Sequence, residues 1–130
     1  MPANTNGPAI SRIGQIAVRV HGLDRAVAFY RDVLGLPFLF QAPPNLAFFD
    51  CNGVRLMLDI PEDKEFDHPA SVIYYAVDDI AAATASLKSC GVHFDSEPHL
   101  IAKMPDHELW MAFFRDPDDN VLALMSEVRG

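Results

Sequence analysis

The chain has 130 residues, 10 Lys and Arg against 18 Asp and Glu, a formal net charge of −8, and half of its residues hydrophobic. That length suits one domain burying about two thirds of its unfolded surface, and the composition is unlike that of disordered chains. The acidic balance argues against nucleic acids and anionic membranes as partners, and no apolar run approaches the roughly 20 residues of a bilayer span.

Residues 1–11 read as a flexible tail without the basic and apolar regions of a secretory signal. Ile13–Val20 alternates and is rich in β-branched residues, so it reads as a strand. Leu23–Leu34 places Leu23, Ala26, Val27, Tyr30, Val33 and Leu34 at helical spacing, with Gly35 as its C-terminal stop. Three short strands are expected over Phe38–Gln41, Leu46–Cys51 and Val54–Ile60, parted by turns at Pro43-Pro44 and Asn52-Gly53. Residues 61–69 are polar and without period, a linker.

The pattern then restarts. Ser71–Val77 reads as a strand and Asp79–Ser89 as a helix ending at Gly91. Val92–Phe94, Leu100–Lys103, Leu109–Phe114 and Val121–Met125 read as further strands. Val20, Leu23, Ala26 and Tyr30 match Val77, Ile80, Ala83 and Leu87 at an offset of 57. Phe48-Phe49 matches Phe113-Phe114, and Leu56-Met57-Leu58 matches Leu122-Ala123-Leu124. This is an internal repeat. The expected fold is α+β, two βαβββ modules forming a split barrel with a central cleft. The expected organisation is a single domain over 12–130, with module one at 12–60, the linker at 61–69 and module two at 70–128. The acidic surplus lies in the second half: residues 61–130 hold five basic and fourteen acidic residues, against five and four in 1–60. Solvated loops account for it. Cys51 and Cys90 form no CxxC pattern, so two free thiols in a cytoplasmic protein are expected, with a disulfide between them left open.

Side chains alternate along a strand. Ile16, Val18 and Val20, then Leu56, Leu58 and Ile60, are the apolar sets that pack against the first helix. Gln15, Ala17, Arg19, Arg55, Met57 and Asp59 then face the cleft. In the second module Val72, Tyr74, Ala76, Val121, Ala123 and Met125 face it.

This arrangement resembles the vicinal oxygen chelate superfamily, which includes glyoxalase I, bleomycin-resistance proteins, extradiol dioxygenases and methylmalonyl-CoA epimerase. The resemblance covers about residues 12–128. It rests on Gln-Ile-Ala-Val-Arg-Val from Gln15, on the Phe29-Tyr30…Leu34-Gly35 signature, and on Asp116-Pro117-Asp118-x-Asn120. Members often have Gly where this chain has Asp119, a residue type that tolerates positive φ. The resemblance implies a homodimer. In metal-using members it implies one ligand on each of four cleft-facing strands, which here fall at Gln15, Met57, Val72 and Ala123. Only Gln15 is a suitable type; a thioether is a soft, weak ligand and Val and Ala are none. No divalent metal or other cofactor is therefore expected.

The histidines His21, His68, His93, His99 and His107 form no paired ligand motif. Asp59 with His68 or His99 is conceivable as a relocated metal site, but no spacing supports it. The segment from Pro98 to Ala112 reads as a hairpin-like excursion at the cleft mouth. It brings Met104 as adaptable packing, His99 and His107 as proton or hydrogen-bond groups, and Trp110, read either as core or as a flat contact for a ligand. No nucleophile elbow or phosphate loop is present. The reading that follows is a small-molecule-binding protein without the usual metal site. Its pocket wall is Met57, Val72, Tyr74, Ala123 and Met125, with Gln15, Arg19, Arg55 and Asp59 as a polar strip. Two alternatives are an enzyme of this type, using a relocated metal or none, and a structural or regulatory dimer with a vestigial cleft.

Overall fold

The computed structural model describes residues 8–42 and 44–129. Most of the expected tail and Pro43 of the first expected turn lie outside them. Residues 8–11 are exposed and carry no regular structure.

Strand β1 (Gln15–Arg19) leads into α1 (Leu23–Ala28), which runs on as a π-helical turn over Phe29–Val33. The wider turn shows in the Leu34 N–H, which donates to the Phe29 carbonyl at 2.9 Å. Gly35 then takes φ +76°, a left-handed stop that suits glycine. Strands β2 (Phe38–Ala42), β3 (Leu46–Cys51) and β4 (Val54–Asp59) complete one sheet in the order β1-β4-β3-β2. The linker holds a single 3₁₀ turn at Lys64–Phe66.

The second half repeats this plan. Strand β5 (Ile73–Ala76) precedes α2 (Ile80–Ser89), whose N-cap Asp79 accepts from the Ala82 N–H at 3.0 Å. Strands β6 (His99–Lys103), β7 (Glu108–Arg115) and β8 (Val121–Val128) give the order β5-β8-β7-β6. In each sheet the pair made by its first strand, β1 with β4 and β5 with β8, is parallel. The α+β fold of two βαβββ modules is thus present, as two four-stranded sheets that do not close into a full barrel.

Two local expectations change. Val92–Phe94 contributes only one bridge, Phe94 to Phe114, whose rings pack at 5.1 Å. Strand β8 runs three residues past Met125, since β7 pairs with it all the way from Val121 to Val128. Both cysteines are free thiols.

One core spans both modules. Val18, Val20, Tyr30, Phe49, Leu56, Leu58 and Phe114 are at most 2% exposed. Each such side chain contributes roughly 1.5–3 kcal/mol on burial. The strand residues among them lie on the helix-bearing side of their sheets, where the alternation predicts Val18, Leu56 and Leu58, and Tyr30 packs against them from the helical turn. No described helix is long and apolar enough to cross a membrane.

Candidate functional site

The helix-free face of each sheet is open in the single chain. In the first sheet, cross-strand register lines Ala17, Met57, Phe48 and Phe40 across all four strands. Beside that row stand Gln15, Arg55 and Asp50. Gln15 Nε2 donates to the Met57 sulfur at 3.6 Å, and Arg55 Nε donates to Gln15 Oε1 at 3.1 Å. The Arg55 guanidinium lies over the Phe48 ring at 5.5 Å, and Phe48 stacks on Phe40 at 4.7 Å. The face is a thioether and aromatic shelf with one cation and one amide fixed above it.

Arg19, placed on the same strip by alternation, turns away. Its Nη1 lies 3.5 Å from Asp67 of the linker and 3.3 Å from His21 Nε2, which itself meets Asp67 at 2.9 Å. That contact holds the Asp67 carboxyl below its ordinary range, with the His21 hydrogen bond as the main cause. Asp59 sits beside Arg19 in register.

The central rows of the second open face carry no charge, with Arg115 and Glu127 at its two ends. Tyr74, Ala123 and Phe113 are neighbours across β5, β8 and β7, as are Ala76, Met125 and Met111. Tyr74 meets Phe113 edge to face at 6.0 Å, and His99 lies 6.5 Å from Phe113. Val72 and Tyr74 are exposed, whereas Ala123 is buried. At the four positions matching the family's ligand set stand an amide already hydrogen-bonded, a thioether, and two side chains without donor atoms. Among the described residues no group of three His, Cys, Asp or Glu side chains comes together.

The expected hairpin forms, with β6 and β7 closed by a Met104 N–H to His107 carbonyl bond of 2.8 Å. Its tip carries Met104, exposed, and His107, bonded to Asp106 at 2.8 Å. Arg129 also binds Asp106, at 2.7 Å, and together the two partners hold that carboxyl at about 2. Trp110 does not join these groups on the open face. It shares its side of β7 with the buried Ala112 and Phe114, packs against the core, and donates from Nε1 to Glu108 at 3.2 Å.

The sequence reading passed over Phe40, Phe48, Met111 and Phe113. Runs such as Ala47-Phe48-Phe49 are apolar on both faces, so alternation alone cannot orient them; only the pairing partner does.

Two further places lie on the helix-bearing side, one that the sequence offered only as a family signature and one that it did not show. The first is the turn Asp116–Asn120. Asp116 accepts from Tyr30 Oη at 2.7 Å, from the Asp118 and Asn120 N–H groups at 2.9 Å each, and from Asn120 Nδ2 at 2.8 Å. Asn120 Nδ2 also donates to the Arg19 carbonyl at 2.9 Å. Asp118 accepts from the His21 N–H at 2.9 Å and from Arg25 Nη2 at 2.6 Å. It thereby supplies an anion at the start of α1, whose N-cap Gly22 has no side chain to offer. Burial and Asp116 push the Tyr30 hydroxyl far up, so it stays a donor.

The second place is a cavity of about 890 Å³. Its walls include Ile16, Leu36, Cys51, Leu56, Tyr75 and Leu87. The Tyr75 hydroxyl is buried and has no hydrogen-bond partner among the described residues. An unmet buried hydroxyl of this kind costs about 1–3 kcal/mol.

A family model described as Glyoxalase/Bleomycin resistance protein/Dioxygenase superfamily matches residues 12–124, and the chain belongs to that superfamily. It is 28% identical over 126 residues to the uncharacterized protein YraH of Bacillus subtilis, covering 85% of this chain and 94% of YraH. Among solved structures it is similar to TnmS3, an antibiotic binding protein from Streptomyces sp. CB03234, at 24% identity and TM-score 0.75 over 93% of this chain and 99% of that one. A lactoylglutathione lyase from Agrobacterium tumefaciens matches at 23% identity and TM-score 0.73, over 90% and 94% of the two chains. At these identities the structural likeness establishes the fold.

Proposed function

We propose that this member of the superfamily is a cytoplasmic, homodimeric small-molecule-binding protein that holds its ligand on the open sheet faces without a divalent metal. The observation that carries this reading is the donor set. An ion held by one group from each of four strands needs oxygen or imidazole donors. Here Gln15 is engaged by Met57 and Arg55, and Val72 and Ala123 have nothing to give. These residues do not fit a divalent metal.

They do suit a flat organic ligand. Phe48, Phe40 and Met57 offer an apolar shelf, Arg55 and Gln15 offer fixed polar contacts above it, and Tyr74, Phe113 and Met125 offer a second, uncharged wall. TnmS3, an antibiotic binding protein, is a precedent for small-molecule binding on this fold. The dimer is favoured by apolar side chains left uncovered on the outer strands: Phe38, Leu39, Phe40, Leu100 and Ile101 are each 37–47% exposed. Two free thiols suit a reducing compartment.

The test combines metal analysis with a ligand screen. Protein purified without chelator carries far less than one divalent ion per chain; a stoichiometric ion overturns the reading. In a thermal-shift screen of planar aromatic antibiotics, a binder present at about 100 times its Kd adds about 2.7 kcal/mol to stability. That shift falls in Arg55→Ala. A screen with no such binder, or one unaffected by Arg55→Ala, also overturns it.

A further inference from the structure

We propose that the cavity on the helix-bearing side is a second ligand site, separate from the open faces, that takes a neutral apolar molecule carrying one hydrogen-bond acceptor. The inference goes beyond the function proposed above and does not rest on it.

The cavity exists because the two modules close their junctions differently. The turn Asp116–Asn120 lays a buried polar network against α1 and β1. The matching turn in the first module is only Asn52-Gly53, and the cavity lies beside it, reaching Asp50, Cys51 and Asn52 on one side and Ala76, Val77 and Ala83 on the other. The repeat aligns Leu87 with Tyr30 and Cys51 with Asp116. The hydrogen-bonded pair of one junction is thus an apolar side chain and a thiol at the other, and both line the cavity.

Its chemistry selects the ligand. At about 890 Å³ it lies within the usual range of roughly 300–1,000 Å³ for small-molecule pockets. The walls are mainly aliphatic, from Ile16, Leu34, Leu36, Leu56, Leu87 and Leu124. Asp50 is the one carboxylate among them, and its Oδ1 already accepts from the Gly53 N–H at 3.0 Å, so an anion is disfavoured. Tyr75 lines the cavity with a buried hydroxyl that lacks an acceptor. Burial raises that hydroxyl well above its ordinary value, and it remains a donor. A ligand carbonyl or ether oxygen would satisfy it. Burial and Asp50 also raise the Cys51 thiol, so Cys51 is a neutral wall group.

Cys51 lines the cavity and Cys90 is exposed elsewhere, which gives the test an internal reference. The full chain is alkylated with iodoacetamide, with benzophenone as the probe, and both sites are followed by mass spectrometry. At about ten times its Kd, benzophenone slows Cys51 modification about tenfold and leaves Cys90 unchanged. Tyr75→Phe weakens benzophenone protection about five- to tenfold but leaves protection by diphenylmethane, which has no acceptor, unchanged. Ala83→Leu, which fills the cavity from α2, removes protection; Val77→Phe does so from just past β5, on the same side of the chain as Tyr75, if the first variant fails to fold. Arg55→Ala leaves protection intact even where it removes binding on the open face, so failure here and failure of the proposed function are told apart. The proposal is overturned by unprotected Cys51 in saturated benzophenone, or by protection that survives both filling variants. It is also overturned by protection that appears on raising protein concentration alone, the sign of a second copy in the cavity.

Discussion

The two modules share a plan yet meet each other through unlike junctions. At one, five residues from Asp116 to Asn120 lie between β7 and β8, and their side chains tie α1, β1 and Ala70 together. At the other, the two residues Asn52 and Gly53 close β3 onto β4 with φ of +53° and +97°, the left-handed pair of a tight hairpin. The longer turn fills its junction with hydrogen bonds; the shorter one leaves space. A repeat of this kind lets one copy carry stability while the other is free to carry a cavity.

The strongest way to break the comparison is to remove the hub of the filled junction. Asp116→Ala deprives Tyr30, Asn120 and two backbone N–H groups of their acceptor, and a loss of about 3 kcal/mol or more is expected in urea unfolding followed by circular dichroism. Cys51→Ala at the matching position should cost less than about 1.5 kcal/mol, because no hydrogen bond is lost. Equal losses from the two would end the distinction between the junctions.

A pair of phenol deletions sharpens it. Tyr30→Phe leaves Asp116 short of a donor and should cost about 1–2 kcal/mol. Tyr75→Phe removes a hydroxyl that has no partner among the described residues, so unfolding should be unchanged or up to about 1 kcal/mol more costly. If the two variants lose stability alike, Tyr75 has a partner in solution.

The turns themselves come next. Gly53 has open space where a Cβ would go, so Gly53→Ala costs only backbone strain, about 1 kcal/mol. Asp119 holds φ +67° in the other turn, and Asp119→Gly should change stability by no more than about 0.5 kcal/mol, since relief of strain is offset by the lost Arg115 contact at 3.3 Å and by a looser unfolded chain. Thermal melts of both variants decide the order.

The smallest effect is electrostatic. The Asp67 carboxyl is lowered in the folded chain by His21 and Arg19, so its contribution is present above the ordinary value of 3.8 and is lost as pH falls below it. His21→Ala should move the Asp67 carboxyl midpoint upward in an NMR titration, with little change in stability, because the pair is exposed. An unmoved midpoint would mean that the linker is not tied to this junction.

Much of this was readable along the chain. Period-two alternation sent Gln15, Arg55 and Met57 to the open face, and Ile16, Val18, Leu56 and Leu58 to the helix side. Asp119 was recognisable as a tolerable residue at positive φ. Phe48 and Phe113 were not orientable, because strands apolar on both sides carry no alternation. Trp110 was open between core and ligand contact until its place beside Ala112 and Phe114 settled which side of β7 it shares. Arg19 was placed correctly on its strand, but its guanidinium follows Asp67, 48 residues away.

The sequence by itself determined the repeat, the turns, the family, and the absence of donors at three of the four ligand positions. Each depends on residue type and spacing, which local backbone preferences translate into strands, helices and faces. Tertiary structure alone decided which junction is filled and which is hollow. The bond from Tyr30 to Asp116 spans 86 positions, and the cavity is bounded by segments from Ile16 to Leu124. Such features depend on how two separately legible modules pack, and packing is set by shape and by unmet hydrogen bonds rather than by any local pattern.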